Sequence, residues 1–309
     1  MQIAYSLEEI PTSAKPVVLT IGSYDGLHLG HQAVLEHLVQ TARKQNLRSV
    51  VLTFSNHPTT VLRPANPIPL ICTQVHKLKL FDKASIDMVI LLPFTREFSE
   101  QSADQFLRKV RHAFHFQTLI LGSDAHIGKN REGDQATVTA LADQLGFSIE
   151  YFPDRLMDGQ RISSNLIREA IRQGDLKQVA VLLGRPYSIY STVLKGNGKG
   201  ATLGFPTANL DVSGLCLPPL GVYAVALLEG GRKYHGVANL GVAPTMKEIN
   251  EPVLEVHLFD HSSDLYGRKV EVLFQEFIRQ EMRFNGVEEL KEQIARDVQT
   301  ARRMHGTYS

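Results

Sequence analysis

The sequence lacks the features that mark several large classes of protein. Its 309 residues contain two cysteines, no long apolar run, no low-complexity tract and no internal repeat. Cys72 and Cys216 match no metal or redox spacing, so we expect buried free thiols in a reducing compartment. No run approaches the roughly 18 apolar residues of a membrane span, and the N-terminus lacks the basic and apolar regions of a signal peptide. These absences predict a cytoplasmic protein with no membrane partner.

Charge is also balanced along the chain. The 33 basic and 32 acidic residues divide into 20 and 18 over residues 1–185, and 13 and 14 over the remainder. Neither half has the basic excess of a nucleic-acid-binding surface, so we expect no nucleic-acid partner. No extended charged or apolar stripe indicates an obligate protein partner, and we expect a monomer or weak homo-oligomer. At roughly 150 residues per domain, the length suggests about two domains.

The first half alternates short β-branched runs with helical patterns. The pattern predicts strands at 17–21, 49–54, 88–92, 118–121 and 148–152, and helices at 31–45, 75–83, 103–114 and 136–145. This alternation predicts an α/β domain, a parallel sheet with helices on both faces. Two further helices, at 165–173 and 175–183, end this half near residue 185.

The second half changes to a period of two. The pattern predicts strands at 187–194, 221–228, 234–240, 253–259 and 269–277. Their regular spacing predicts an antiparallel β-barrel over residues 186–309. A closing helix at 287–304 carries one apolar face that suits packing against the barrel, formed by Leu290, Ile294, Ala295, Val298 and Ala301.

A glycine turn with two histidines follows the first predicted strand. It reads Gly22-Ser23-Tyr24-Asp25-Gly26-Leu27-His28-Leu29-Gly30-His31 and ends where the first helix begins. In an open parallel sheet, ligands bind beyond the carboxyl ends of the strands, where a helix N-terminus offers N–H groups to phosphate. We therefore predict that this turn binds phosphate. A zinc site is less favoured, because no third ligand lies at a recognisable spacing.

The turn resembles the HxGH signature of the nucleotidyltransferase superfamily, in which histidines stabilise the α-phosphate transition state as pyrophosphate leaves. Segments 53–58, 122–134 and 162–168 look like the adenylyltransferase half of prokaryotic bifunctional riboflavin kinase/FAD synthetases. The resemblance implies a Rossmann-like fold and a catalytic role for His28 and His31. It implies nucleotide binding by Gly22, Ser23, Asp25, Gly30, Ser163, Ser164 and Arg168, and flavin binding by His57, Asp124 and Arg131.

This half also departs from the family pattern. Ser23 and Tyr24 stand where the family has Asn and Phe, and Ser55-Asn56 replace an acidic residue and a proline before His-Pro. Ala125 and Ile127 occupy positions where aromatic residues are common, and Asn165 replaces a threonine. These differences leave open a second hypothesis, a riboflavin kinase whose adenylyltransferase half binds nucleotide with weak or no activity.

A glycine-rich loop opens the chemistry of the second half. It reads Gly196-Asn197-Gly198-Lys199-Gly200-Ala201-Thr202-Leu203-Gly204-Phe205-Pro206-Thr207-Ala208-Asn209-Leu210. Alone, such a loop is more typical of a strand connection. The full stretch resembles the riboflavin kinase module, whose Pro-Thr-Ala-Asn motif serves the Mg²⁺-nucleotide. The resemblance implies Thr207 and Asn209 as Mg²⁺ ligands, with Gly198, Lys199 and Gly204 also at the nucleotide. Hard oxygen ligands of this kind suit Mg²⁺.

Three downstream segments, 221–224, 239–245 and 254–260, follow in the order expected of that module. We predict that Glu255 is the general base, because γ-phosphoryl transfer requires the ribityl 5′-hydroxyl to be oriented and deprotonated. His257 falls on the same strand face and is interpreted as incidental. The resemblance implies flavin contacts from Arg279 and Phe284.

The predicted function is phosphorylation of riboflavin to FMN and adenylylation of FMN to FAD, with ATP as co-substrate and Mg²⁺ as cofactor in both reactions. One alternative is the kinase with a degenerate first half. Another is a flavin-binding regulator without turnover, for which the only hint on the kinase side is Ala201, at a position where many relatives carry a basic residue.

Overall fold

The computed structural model describes residues 1–10, 16–196, 198–243, 251–261 and 263–306, and the chain forms two compact units. The first unit comprises residues 1–68 and 77–163, and the second comprises residues 69–76 and 164–309. The two helices that end the first half of the sequence therefore pack in the second unit. The predicted domain boundary near residue 185 stays a prediction.

The first unit contains a six-stranded parallel sheet in the order β1-β4-β3-β2-β5-β6. Its strands are β1 Gln2–Ala4, β2 Val17–Ile21, β3 Arg48–Phe54, β4 Met88–Leu92, β5 Phe116–Gly122 and β6 Ser148–Phe152. The strand order reverses between β2 and β5. Open α/β sheets bind their ligands at such a point, beyond the carboxyl ends of the strands.

Helices cover both faces of this sheet, as predicted. The chain forms α1 Leu29–Lys44, α2 Thr59–Leu62, α3 Gln74–Lys83, α4 Arg96–Ser99, α5 Ala103–Ala113 and α6 Gln135–Leu145. Because side chains alternate along a strand, Val18 packs in one cluster with α1, while Leu19 packs in another with α5 and α6. A short hairpin, β7 Leu156–Met157 and β8 Gln160–Arg161, ends this unit.

The second unit contains a closed antiparallel barrel in the order β10-β13-β12-β11-β14-β9. Its strands are β9 Ser188–Leu194, β10 Ala208–Asp211, β11 Gly221–Glu229, β12 Arg232–Ala243, β13 Glu251–Leu258 and β14 Lys269–Arg279. Its helices are α7 Ser164–Gln173, α8 Leu176–Leu183, α9 Lys199–Thr202 and α10 Val287–Gly306. The predicted barrel is confirmed, with β10 as an additional sixth strand.

The closing helix α10 packs on the barrel through its predicted apolar face. Ala301 is fully buried against Val222, Ala224 and Val237, with Val298 beside it. A buried ion pair adds to this contact, because Arg279 Nη2 of β14 lies 2.7 Å from Asp297 Oδ2 of α10. The helix is therefore held to the barrel by apolar burial and by one charged pair.

The early segment 69–76 is hydrogen-bonded within the second unit. Leu70 N donates to Gly214 O at 2.9 Å, and Cys216 N donates to Leu70 O at 2.7 Å. Arg168 Nε of α7 donates to Pro69 O at 2.8 Å. Cys72 and Cys216 are buried free thiols, as predicted. Among the described residues, no helix has both the length and the apolar character needed to cross a bilayer.

Candidate active sites

A cavity of about 550 Å³ lies beyond the carboxyl ends of the strands of the first unit. Gly22 and Ser23 line it after β2, Phe54 at the end of β3, and Gly122 and Asp124 at the end of β5. This is the point where the strand order reverses. The predicted turn therefore lies at the position that the topology favours for a ligand.

The backbone of the turn depends on a glycine and on a tyrosine ring. Tyr24 adopts a left-handed φ of 50°. Its hydroxyl lies 2.6 Å from Thr20 Oγ1. A Cβ on Gly22 would lie 2.9 Å from the Tyr24 ring, so glycine permits the ring to fold back over the turn. Burial raises the pKa of Tyr24, which keeps the phenol neutral.

The two histidines are held together at the start of α1. His28 is the N-cap residue, and the backbone N–H of His31 donates to His28 Nδ1 at 3.3 Å. Because Nδ1 accepts this bond, a neutral His28 carries its hydrogen on Nε2. The two rings stack with centroids 3.7 Å apart. A Cβ on Gly30 would lie 3.1 Å from His28 Nδ1, so the glycine allows this close stacking.

Positive charge surrounds His31. Burial lowers its pKa well below the usual value, and the nearby charges of His28, Lys77 and Arg161 lower it further. Its Nδ1 is buried and has no hydrogen-bond partner among the described residues. An anion placed here would favour the protonated imidazole and accept its hydrogen bond. Lys77 and Arg161 thus give the start of α1 a positively charged environment.

Lys77 is a structural part of this site that sequence reasoning missed. Its ammonium group donates to Phe54 O at 2.8 Å and to Ser23 O at 3.2 Å, which joins the ends of β2 and β3. The side chain is buried, with 9% of its surface exposed. The available signal was a lysine one helical turn before Phe81, on a face that is otherwise apolar.

Two predicted flavin residues, Asp124 and Arg131, line the cavity. Asp124 forms an ion pair with Arg161, which also contacts Asp154 at 3.0 Å. Arg131 Nη2 and Asp124 O each lie 2.8 Å from His126 Nδ1. His57 does not line the cavity, although its neighbour Pro58 does. The backbone N–H of Thr59 donates to His57 Nδ1 at 3.2 Å.

An aromatic wall, formed by Phe54, Phe94 and Phe98, lines the same cavity. The ring centroids of each pair lie 5.2 or 5.3 Å apart. Sequence reasoning missed this wall, because Phe94 and Phe98 follow β4 and Phe54 ends β3. The only local signal was the spacing of four residues between Phe94 and Phe98. Edge-on and tilted rings of this kind offer an apolar surface to a flat aromatic ligand.

The remaining predicted nucleotide residues have the following contacts. Asp25 is buried, with 5% of its surface exposed. Ser163 ends the first unit, and Ser164 begins α7 in the second unit. Arg168 is buried and donates from Nη1 to Asn165 Oδ1 at 3.0 Å as well as to Pro69 O. Their roles toward phosphate stay predictions.

A second cavity, of about 400 Å³, is contained within the barrel unit. The structure brings the following predicted residues into its lining: Gly198, Thr207, Asn209, Glu255, Arg279 and Phe284. Residues that are separated by up to 86 positions in the chain thus share one site. Gly204 lies outside this lining, with a left-handed φ of 89° and open space at its Cβ position.

Glu255 lies between two asparagines across the barrel strands. It pairs directly with Asn209 on β10 and with Asn239 on β12. Directly opposed residues of antiparallel strands share a sheet face, and all three side chains line the cavity. The structure thus adds Asn239 to the candidate site. Its segment was recognised in the sequence, but only strand register places this side chain beside Glu255.

The glycine-rich loop packs directly on the proposed metal ligands. A Cβ on Gly196 would overlap the side-chain amide of Asn209, and one on Gly200 would lie 3.1 Å from Thr207 Oγ1. Both glycines therefore leave room for these oxygen-bearing side chains. The side chain of Lys199 lies outside the described residues, as do Asn197, Pro244 and Thr245.

His257 has a more specific environment than its incidental interpretation allowed. It lines the cavity with Glu255, and its Nδ1 lies 2.9 Å from Pro206 O. A carbonyl oxygen only accepts, so Nδ1 carries the hydrogen and donates it. The imidazole therefore connects β13 with the residue before Thr207. This arrangement couples the strand of Glu255 to the Pro-Thr-Ala-Asn loop.

Arg279 and Phe284 lie at the edge of this cavity close to α10. The Arg279 guanidinium is 5.9 Å from the centroid of the Phe284 ring. Its Nε and Nη2 both donate to the buried Asp297 carboxylate. Arg279 therefore anchors the helix whose side chains Leu290 and Ile294 line the cavity. A flavin contact from Arg279 stays a prediction.

The first unit has two histidines, His28 and His31, at the start of a helix, and the barrel has a carboxylate, Glu255, between two asparagines. These features define a nucleotide-dependent transferase with two separate cavities. Residues 10–166 match the FAD synthetase family and residues 183–305 match the riboflavin kinase family. The chain is 41% identical, over 98% of both chains, to the bifunctional riboflavin kinase/FMN adenylyltransferase of Haemophilus influenzae. It is 38% identical to that of Escherichia coli K12, over 94% of this chain and 93% of the relative. The chain belongs to the bifunctional riboflavin kinase/FMN adenylyltransferase family.

A solved structure described as a macrolide-efflux protein from Streptococcus pneumoniae has the same overall fold. Its TM-score is 0.82 at 28% identity, and the match covers 97% of this chain and 98% of that one. The two family matches and the bifunctional relatives confirm the resemblance drawn from the sequence motifs for both halves. Because the FAD synthetase family matches the first half, the degenerate alternative is not favoured.

Proposed function

We propose that the two cavities divide two successive transfers from ATP between them. The barrel cavity transfers the γ-phosphoryl group to riboflavin and yields FMN and ADP. The cavity of the first unit transfers the adenylyl group to FMN and yields FAD and pyrophosphate. The observation that carries this assignment is the difference between their lining residues, Glu255 in one and His31 in the other. The functional modules are residues 1–185 and 186–309.

In the barrel, Glu255 orients the ribityl 5′-hydroxyl and accepts its proton as the new O–P bond forms and the bond to the β-phosphate oxygen breaks. Asn209 and Asn239 flank this carboxylate. Their amide groups fix its position and contact the polar part of the substrates. The apolar lining from Val222, Val237 and Ile294 accommodates the flavin ring and excludes water.

In the first unit, a phosphate oxygen of FMN attacks the α-phosphorus of ATP, and the bond to the pyrophosphate oxygen breaks. His28 and His31 donate hydrogen bonds to the developing charge at the start of α1. The FMN phosphate is already anionic, so this step needs no base. The aromatic wall holds the flavin ring, while Gly22 and Gly30 let the backbone approach the phosphates.

The residues of the barrel fit a magnesium ion that arrives with the nucleotide. Thr207 and Asn209 supply hard oxygen ligands, and the glycines at 196 and 200 leave their side chains room. No cluster of three or more His, Cys, Asp or Glu side chains suited to a metal occurs in the described ranges, so phosphate oxygens would complete the coordination. Bound Mg²⁺ would offset phosphate charge.

We further propose that the enzyme acts in the cytoplasm on riboflavin, FMN and ATP, as a monomer or weak homo-oligomer, without membrane or nucleic-acid partners. The two buried free thiols support a reducing compartment. The substrates are all small molecules, and both proposed cavities are of a size suited to small ligands.

The test is a chromatographic time course of flavins. Purified protein is incubated with riboflavin, ATP and Mg²⁺, and in parallel with FMN, ATP and Mg²⁺. We expect FMN followed by FAD in the first reaction, FAD directly in the second, and neither product when a chelator removes the metal. FMN without FAD would contradict the assignment of the first unit. A complete lack of products would favour a binding protein without turnover.

A further inference from the structure

Phe94 is the member of the aromatic wall that regular structure supports least. Phe54 belongs to β3 and Phe98 to α4, whereas Phe94 lies in the connection between β4 and α4. Its backbone is outside both the strand ladder and the helix. Loop backbone of this kind moves more readily than strand or helix backbone unless other groups hold it.

The side chain of Asn56 holds this backbone on both sides. Asn56 Oδ1 accepts a hydrogen bond from Phe94 N at 2.8 Å, and Asn56 Nδ2 donates to Phe94 O at 2.9 Å. Nδ2 also donates to Thr60 Oγ1 at 3.1 Å. The amide thus uses its acceptor and both of its hydrogens. Few side chains other than a carboxamide carry both a donor and an acceptor in this geometry.

These contacts continue the parallel sheet by one residue. The pairing of β3 with β4 ends at Phe54 and Leu92, and Ser55 N then donates to Leu92 O at 2.9 Å. At the next position the Asn56 side chain replaces the strand backbone as the partner of Phe94. The hydrogen bonds from Asn56 therefore fix the backbone of Phe94, which lines the cavity, relative to the end of β3.

We propose that Asn56 is a positioning residue for the flavin ring in adenylyl transfer. It holds Phe94, and through it the aromatic wall, in the arrangement that receives the isoalloxazine ring of FMN. This inference rests on the proposed binding of FMN in the cavity of the first unit. In the sequence, Asn56 counted as a departure that favoured a degenerate half. Its contacts instead show an alternative way of building that wall.

The experiment compares Asn56→Ala with Asn56→Asp, which keeps an acceptor for Phe94 N and loses the donor. Thr60→Val serves as the matched control, because it keeps both contacts of Asn56 with Phe94. It removes the third hydrogen bond of the amide, together with the hydrogen bond from Thr60 Oγ1 to His57 O. Michaelis constants for FMN and ATP are measured in FAD formation. Riboflavin phosphorylation by the same protein samples reports whether each variant is folded.

We expect Asn56→Ala to raise the KM for FMN about tenfold, since it leaves two backbone groups without partners. Asn56→Asp should produce an increase in the same direction. The KM for ATP and riboflavin phosphorylation should change less than about twofold, and Thr60→Val should behave as the wild type. A purely structural role would lower the amount of active enzyme and leave the KM for FMN unchanged.

A double variant tests whether Asn56 acts through Phe94. If it does, adding Asn56→Ala to Phe94→Leu raises the KM for FMN little beyond Phe94→Leu alone. Effects that multiply, an unchanged KM for FMN, or equal increases for FMN and ATP would each overturn the proposal. Wild-type protein that makes no FAD would contradict the proposed function instead. FMN titration of wild type and Asn56→Ala would then still test Asn56 on binding alone.

Discussion

The two cavities of this enzyme differ in the charge of the groups that line them. The cavity of the first unit is lined by His31, Lys129 and Arg131. Among the described residues, Asp124 is the one carboxylate in this lining, and it is paired with Arg161. The barrel cavity is lined by the carboxylates Glu255, Glu281 and Asp297, of which Asp297 is paired with Arg279. Both cavities are assigned reactions of ATP, so the nucleotide does not explain the difference.

The nucleophile of each reaction explains the difference in charge between the two cavities. A ribityl hydroxyl must lose a proton when it attacks phosphorus, and that proton needs a base. The phosphate of FMN carries its negative charge already, so the first unit needs cations to bring two anions together. The chemistry of the attacking group, more than that of ATP, determines which charged residues each site holds.

The largest expected effect comes from removing the proposed base of the barrel. Glu255→Gln keeps the shape of the side chain and should lower kcat for FMN formation by about 10²- to 10⁴-fold. FAD formation from FMN should be unaffected, because that reaction uses the other cavity. Chromatography of both reactions with one protein sample measures both rates. A similar loss in both reactions would remove the proposed division between the sites.

The converse variant is His31→Asn in the first unit. Loss of this donor should lower FAD formation by about 10²-fold or more, while riboflavin phosphorylation continues at the wild-type rate. His37→Asn provides a control on the same helix, where the half-buried imidazole contacts Glu150 at 2.7 Å. If the control lowers FAD formation as much as His31→Asn, the effect comes from α1 and not from the site.

A smaller effect is expected from filling the space beside Asn209. In Gly196→Ala, the added Cβ displaces the Asn209 amide and leaves the barrel intact, since a side chain can move where backbone cannot. The KM for ATP in FMN formation should rise about tenfold, which corresponds to roughly 1.4 kcal/mol. Gly286→Ala is the control, because nothing lies near its Cβ position. Equal values for both variants would contradict the proposed role of Asn209.

The smallest effect concerns pH and the end of α10. Burial lowers the pKa of both His305 and His235, and their Nδ1 atoms lie 2.8 Å apart, with Lys233 also lowering both values. Below about pH 6.5, the usual pKa of histidine, these two imidazoles are protonated in the unfolded chain but stay neutral in the folded barrel. Acidification therefore destabilises the folded state. Between about pH 7.5 and pH 5.5, the unfolding midpoint of His305→Gln should fall about 2 to 4 °C less than that of the wild type. An equal fall of the unfolding midpoint with pH in His305→Gln and in the wild type would contradict this account.

The helices and longer strands were predictable because their apolar periodicity is local. The short strand β10 was not, because Pro206 precedes it and only four residues, Ala208–Asp211, form its ladder. Its existence depends on pairing with β9 and β13, which are distant in sequence. The same limit applies to β1, a three-residue edge strand. Tertiary pairing, not propensity, creates both elements.

The site residues show the same distinction between local and long-range information. His28, His31, Thr207 and Asn209 lie within short motifs, so the sequence could select them as candidates. Asn239 required the register between β12 and β13, and the contact from Asn56 to Phe94 joins positions that are 38 residues apart. A residue that functions through a distant partner leaves no signal in its own neighbourhood.

The segment 69–76 makes the second unit discontinuous along the chain. A single crossover between residues 163 and 164 would exchange the barrel with its two helices but leave this segment behind. The transferred module would then lack the partner of Gly214 and Cys216, and of the Arg168 guanidinium. A transfer that keeps the second unit intact therefore requires residues 69–76 as well as residues 164–309.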